Sequence, residues 1–141
     1  MSMTWTQYLL GKLAEESAEV TKEALKCQQQ GVSSPWKGRA AIFELRNELI
    51  EVMAVCQMLE GEADIQEALD EHRLIHMPSE NEDLDFHDIK YAKIERVCYY
   101  AMFAYRSGNL TLSIDQYSHV KTAAIRYGTK HNLTMELFDV I

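Results

Sequence analysis

Trp5-Thr6-Gln7-Tyr8-Leu9-Leu10-Gly11-Lys12-Leu13-Ala14-Glu15-Glu16-Ser17-Ala18-Glu19-Val20 places its apolar residues at helical rather than strand spacing. At about 100° per residue, Trp5, Leu9, Leu13, Val20, Ala24 and Cys27 share one arc, the expected core stripe of a helix from about Thr4 to Gln30. Glu16 falls inside that arc, between Trp5 and Leu9. Glu19 lies about 60° away on its edge, with Lys12 and Glu23 along the same side. Glu15 is further out. An ionised carboxylate in a core stripe is costly unless it is paired or bound to metal, so Glu16 calls for a partner.

A second stretch repeats the arrangement. In a helix from about Arg39 to Glu60, Ile42, Leu45, Leu49, Val52, Cys56 and Leu59 read as the apolar stripe. Glu48 sits inside the wider stripe that includes Val55, and Glu51 lies about 60° to the same side. Two such helices packed face to face would gather four carboxylates. Like charges brought that close take up protons or recruit a cation. Their oxygen donors suit Mg²⁺ or Mn²⁺ rather than zinc or copper. The competing reading is that these glutamates reach solvent or pair with Lys12 or Arg46. Glu23, Glu44, Glu60 and Glu62 read as solvated surface.

The rest of the chain continues in helices. A shorter one fits about Ala63 to His76, and Met77-Pro78-Ser79 breaks the pattern before an acidic loop, Glu80 to Asp85. Long helices fit His87 to Ser107 and about Leu112 to His131, with a terminal turn or short helix over Thr134 to Ile141. Only 6 Gly and 2 Pro in 141 residues agree with an all-α fold, a bundle of about four to six helices in one domain spanning 1–141. No run approaches the ~18 apolar residues of a membrane span. Met1-Ser2-Met3-Thr4 shows no basic-then-apolar leader, and Cys27, Cys56 and Cys98 form no Cys-x-x-Cys pair. The expectation is a cytoplasmic protein with free thiols. A net charge of −8 argues against a nucleic-acid duplex partner, while a nucleotide remains possible if cations stand between its phosphates and the carboxylates.

Lys12-Leu13-Ala14-Glu15-Glu16-Ser17-Ala18-Glu19 contains Glu-Glu-x-x-Glu, and Glu48-Leu49-Ile50-Glu51 reads as Glu-x-x-acidic, with 28 residues between the two motifs. This ordered pair resembles the all-α nucleoside triphosphate pyrophosphohydrolase superfamily: MazG-like proteins, phosphoribosyl-ATP pyrophosphohydrolase and dimeric dUTPases. It looks closest to small stand-alone MazG-like proteins, including phage-encoded ones. The likeness covers about Lys12 to Leu59.

The resemblance implies Mg²⁺-dependent cleavage of a nucleoside triphosphate between its α and β phosphates, giving a monophosphate and pyrophosphate. By position it implies Glu16, Glu19, Glu48 and Glu51 as metal ligands, with Glu15 or Glu19 handling the attacking water. Lys12 matches a basic position that touches phosphate. The family's second motif usually ends in Asp, so Glu51 is a departure that lengthens one carboxylate arm. It also implies a homodimer or homotetramer whose helices complete the core between subunits.

Lys90, Lys93 and Arg96 on the later helix are candidates for the leaving pyrophosphate, Lys90 and Lys93 being three apart. A solvated face with an internal ion pair is their alternative. Trp5, Tyr8 and Trp36 could stack on a base, although aromatics at helical spacing more often serve a core. His72 and His76 are read as an exposed pair. Tyr99, Tyr100 and Tyr105 are read as packing or subunit-contact residues. Two other functions stay open: the same fold acting on phosphoribosyl-ATP or a modified nucleotide, and a catalytically weak helical interaction protein.

Overall fold

The computed structural model describes residues 2–33, 35–36, 39–61 and 86–133. Among these, four helices dominate: α1 (Trp5–Gln30), α2 (Ala41–Glu60), α3 (Phe86–Arg106) and α4 (Ile114–Lys130). The expected helix over 63–76, the acidic loop over 80–85 and the terminal turn over 134–141 lie outside the described residues, as do His72, His76 and the side chain of Trp36.

α1 begins where its capping chemistry says it should. Thr4 Oγ1 accepts from Gln7 N at 3.1 Å, and Gln7 Oε1 accepts from Thr4 N at 2.9 Å, so two otherwise orphaned donors are satisfied reciprocally. Ser113 and Gln116 repeat this box at the start of α4, with bonds of 3.2 and 3.0 Å. α1 stops at Gly31, whose φ of +95° disfavours a residue with a Cβ, and its N–H still reaches Cys27 O. α2 starts two residues later than expected. Arg39–Ala40 (β2) pairs antiparallel with Pro35–Trp36 (β1) instead, making the α1–α2 connection a minimal hairpin.

α1 packs on α2, α3 on α4, and the two hairpins join mainly through α2 against α3. Their shared core contains Trp5 and Leu9 from α1, Ala54 and Met58 from α2, Ile94, Cys98 and Met102 from α3, and Val120 and Ala124 from α4. The segment before α1 is tied to the α3–α4 connection. Met3 N donates to Asn109 O and Thr111 N donates to Met3 O, both at 2.8 Å. The core therefore gathers at the start of α1. Beyond Leu9 the same face of α1 carries Glu16, Glu23 and Cys27.

The predicted α2 stripe is corrected. Ile42 and Leu49 are 40% and 46% exposed, whereas Ala41, Ile50, Ala54, Val55 and Met58 are buried. At about 100° per residue the buried face centres close to Glu51, with Glu48 about 60° to its side. α2 is apolar over most of its circumference, so periodicity alone selects no single face. No described helix is long and apolar enough to cross a membrane. The cysteines are free, as expected, and burial pushes the Cys98 thiol well above its ordinary range.

Candidate metal centre

Glu16 lies two turns along α1 from Leu9 on the buried face and is only 7% exposed. α2 brings Glu48 and Glu51 against it. One oxygen from each of the three carboxylates falls in a group whose members all lie within 4.8 Å of one another. The third wall is α3, which supplies Lys93, itself 8% exposed. Its Nζ donates to Glu16 Oε1 and stands 3.9 Å from Glu51 Oε2. The cluster thus draws on three helices, and a lysine sits among its carboxylates.

The electrostatics follow from this crowding. Burial raises the Glu48 carboxyl above its ordinary range, with Glu16 and Glu19 adding repulsion against the opposing effects of Glu51 and Lys93. Burial also pushes Glu51 up to about 7; repulsion from Glu48 and Glu16 works in the same direction, and Lys93 works against it. Glu48 Oε2 is buried without a hydrogen-bond partner among the described residues. A buried oxygen in that state is an acceptor that lacks its donor or its cation. Hard oxygen donors from three carboxylates, one of them unsatisfied, fit Mg²⁺ or Mn²⁺.

The other expected residues divide by position. Glu19 stays outside the three-carboxylate group: its side chain is 50% exposed and lies 4.0 Å from the Lys22 ammonium. It remains close enough to raise Glu48. Glu15 is 64% exposed and paired with Lys12 at 3.2 Å, and the Lys12 ammonium also lies 5.4 Å from the Tyr8 ring centroid. Neither Glu15 nor Lys12 belongs to the group. Lys90, one turn before Lys93, has its ammonium 5.4 and 5.3 Å from the Phe86 and Tyr91 ring centroids, and burial lowers its pKa. Arg96 lies over Tyr100, at 6.0 Å.

Trp5 is core, and Tyr8 stacks on it at 5.8 Å between ring centroids. Tyr99 is buried against Phe103 and Tyr127, and Tyr105 packs on Tyr117.

Two features escaped the sequence. The ion-pair partner of Glu16 is neither Lys12 nor Arg46 but Lys93, 77 residues away in the chain. Glu23, expected on the surface, is 6% exposed and holds Lys26 at 3.5 Å through Oε1, while Oε2 has no partner among the described residues. Glu23 follows Glu16 by seven residues, almost two turns, and so shares its direction. That spacing was the available signal. Compared with protein-family models, curated proteins and solved structures, the chain gives no match.

Proposed function

We propose that this chain is a Mg²⁺-dependent nucleoside triphosphate pyrophosphohydrolase, with Mn²⁺ able to serve in place of Mg²⁺. The observation that carries the reading is the gathering of Glu16, Glu48 and Glu51 from two motif-bearing helices into one group within 4.8 Å. In this reading water adds to one phosphorus, the bridge between the α and β phosphates breaks, and the electron pair leaves with pyrophosphate. Bound by these carboxylates, Mg²⁺ supplies charge neutralisation for the phosphate oxygens and a more acidic water.

The chain's own groups take distinct parts. Glu16, Glu48 and Glu51 hold the ion. Glu19, one turn from Glu16, is better placed than Glu15 to accept the water's proton, because it lies close enough to raise Glu48 and its lysine is farther off, at 4.0 Å against 3.2 Å. Lys90 and Lys93, on one face of α3, meet the charge that grows on the leaving group. Lys90, over Phe86 and Tyr91, and Arg96, over Tyr100, would each have to leave a ring face for that task, so Lys93 is the stronger candidate.

The active form in this proposal is a homodimer or homotetramer. What supports it is that Leu10, Leu25, Ile42, Phe43, Leu49 and Met53 are 40–51% exposed on the α1–α2 hairpin, apolar surface that a second subunit would cover.

The test is pyrophosphate release from a panel of (d)NTPs, phosphoribosyl-ATP and modified nucleotides, with and without Mg²⁺. Pyrophosphate rather than phosphate is expected, and it should vanish with chelator. If no nucleotide is cleaved, while Glu16→Gln and Glu48→Gln raise stability, the carboxylates are unliganded repulsion and the enzyme reading fails. One observation favours that second reading, a helical interaction protein: Lys93 already pairs Glu16 and approaches Glu51.

A further inference from the structure

We infer that Lys93 is the resident cation of the carboxylate cluster, and that a divalent ion enters by displacing its ammonium. This rests on the metal reading above and adds a built-in competitor to it. Lys93 comes from α3, not from either motif helix, and its ammonium occupies the space where the oxygens of Glu16 and Glu51 converge. Mg²⁺ bonds to oxygen at about 2.0–2.1 Å, and a charged N–H···O bond spans about 2.7–2.9 Å. An ion bound to Glu16 Oε1 would therefore stand within roughly 5 Å of an ammonium hydrogen-bonded to that same atom. Two cations so close in a partly buried site repel, and the flexible lysine stem is the part that can yield.

The alternative cations are committed elsewhere: Lys12 to Glu15 and the Tyr8 ring, Lys90 to the faces of Phe86 and Tyr91. Without Lys93 and without a divalent ion, three carboxylates would face each other within 4.8 Å. The site therefore exchanges one cation for another. The freed Lys93 is delivered on the same face of α3 as Lys90, and a polyphosphate meets it only after the ion is in place.

Amine acetylation of the full-length protein, mapped by peptide mass spectrometry, tests this without a mutation. Lys93 should be nearly unreactive in chelator and label several-fold faster with saturating Mn²⁺, while exposed Lys22 labels equally in both. Equal or slower labelling of Lys93 with bound Mn²⁺ overturns the inference. Calorimetric titration adds a second readout. Lys93→Met should bind Mn²⁺ about tenfold tighter than wild type through the loss of a competing charge. Its metal-free melting temperature should drop, and the gap to wild type should close with Mn²⁺. If Lys93→Met does not fold without metal, Lys93→Gln replaces it in both measurements. Unchanged or weaker Mn²⁺ binding by the variant overturns the inference. If wild type binds Mn²⁺ and cleaves nucleotide while Lys93 stays protected, only the lysine inference falls. If neither protein binds Mn²⁺, the metal reading falls with it.

Discussion

The two helical hairpins spend their apolar residues differently. α3 buries nine of its 21 residues against α2 and α4, from Tyr91 to Met102; seven are uncharged, Lys93 enters the carboxylate cluster, and Glu95 is held by Lys130 at 2.7 Å. α1 buries five of 26, and two of those are Glu16 and Glu23. α2 buries five of 20 and leaves Phe43, Leu49 and Met53 nearly half exposed. The α3–α4 hairpin thus buries mainly uncharged side chains and pairs its one buried carboxylate within itself, whereas the α1–α2 hairpin crowds several carboxylates together inside and leaves apolar side chains outside. Interior charge is tolerated only where it is compensated. Under the proposed function, α1–α2 would carry the site and the subunit contact, and α3–α4 would hold them in place.

The largest effect expected from breaking this contrast is catalytic. Glu48→Gln keeps the size of the side chain but removes charge from the buried, unsatisfied oxygen. Pyrophosphate release should fall at least about a hundredfold, in line with removal of a group that stabilises transition-state charge. Loss of activity with an unchanged fold by circular dichroism is the expected pairing. A variant with wild-type rates would remove Glu48 from the site.

On the other hairpin the same logic predicts the reverse. Met102 is 1% exposed in the core, so Met102→Ala should cost about 2–5 kcal/mol in urea unfolding, through lost burial and a cavity. The folded fraction should keep its turnover per molecule. A variant that unfolds normally yet loses turnover would mean that α3 reaches the chemistry by more than Lys93 and Lys90.

The outer face of α1–α2 gives a smaller and more diagnostic effect. Wild type should run in light scattering at a multiple of the 16.3 kDa chain mass. Leu49→Asp should shift it toward the single chain, because an unpaired charge at an apolar contact is not tolerated. A wild-type mass equal to one chain breaks the oligomer proposal outright.

Legibility in the sequence followed the same division. The described helices lie within two residues of their expected bounds because Thr4–Gln7 and Ser113–Gln116 are capping boxes and Gly31 and Gly108 take positive φ. Glu16 was legible because α1 has one narrow stripe, and a charge inside it stands out. α2 offers two apolar stripes, and the sequence favoured the one through Ile42 and Leu49 that proves exposed. In consequence Glu51 and Glu48 exchange places: Glu51 lies nearer the centre of the buried face than expected, and Glu48 to its side. Lys93 was readable as a phosphate candidate but not as the partner of Glu16, since a tertiary contact across 77 residues leaves no trace in helical period.

The smallest expected effect separates the crowded carboxylates of α1–α2 from the mainly uncharged interior of α3–α4 by pH. Burial pushes the Glu51 carboxyl up to about 7 in the folded chain, from the 4.5 of an ordinary glutamate. Between those values the folded state holds a proton that the unfolded state has lost. Metal-free stability should therefore decline as pH rises from about 4.5 to about 7 and level off above that range, as proton linkage requires. The melting temperature in chelator should show this as a loss of a few degrees. Glu51→Gln should make the decline shallower, because it removes one of the two raised carboxyls and leaves Glu48. Met102→Ala should lower the whole profile without changing its slope, since no titrating group is touched. If Glu51→Gln keeps the wild-type slope, Glu51 does not carry the decline, and the strain of the α1–α2 interior must be sought at Glu48.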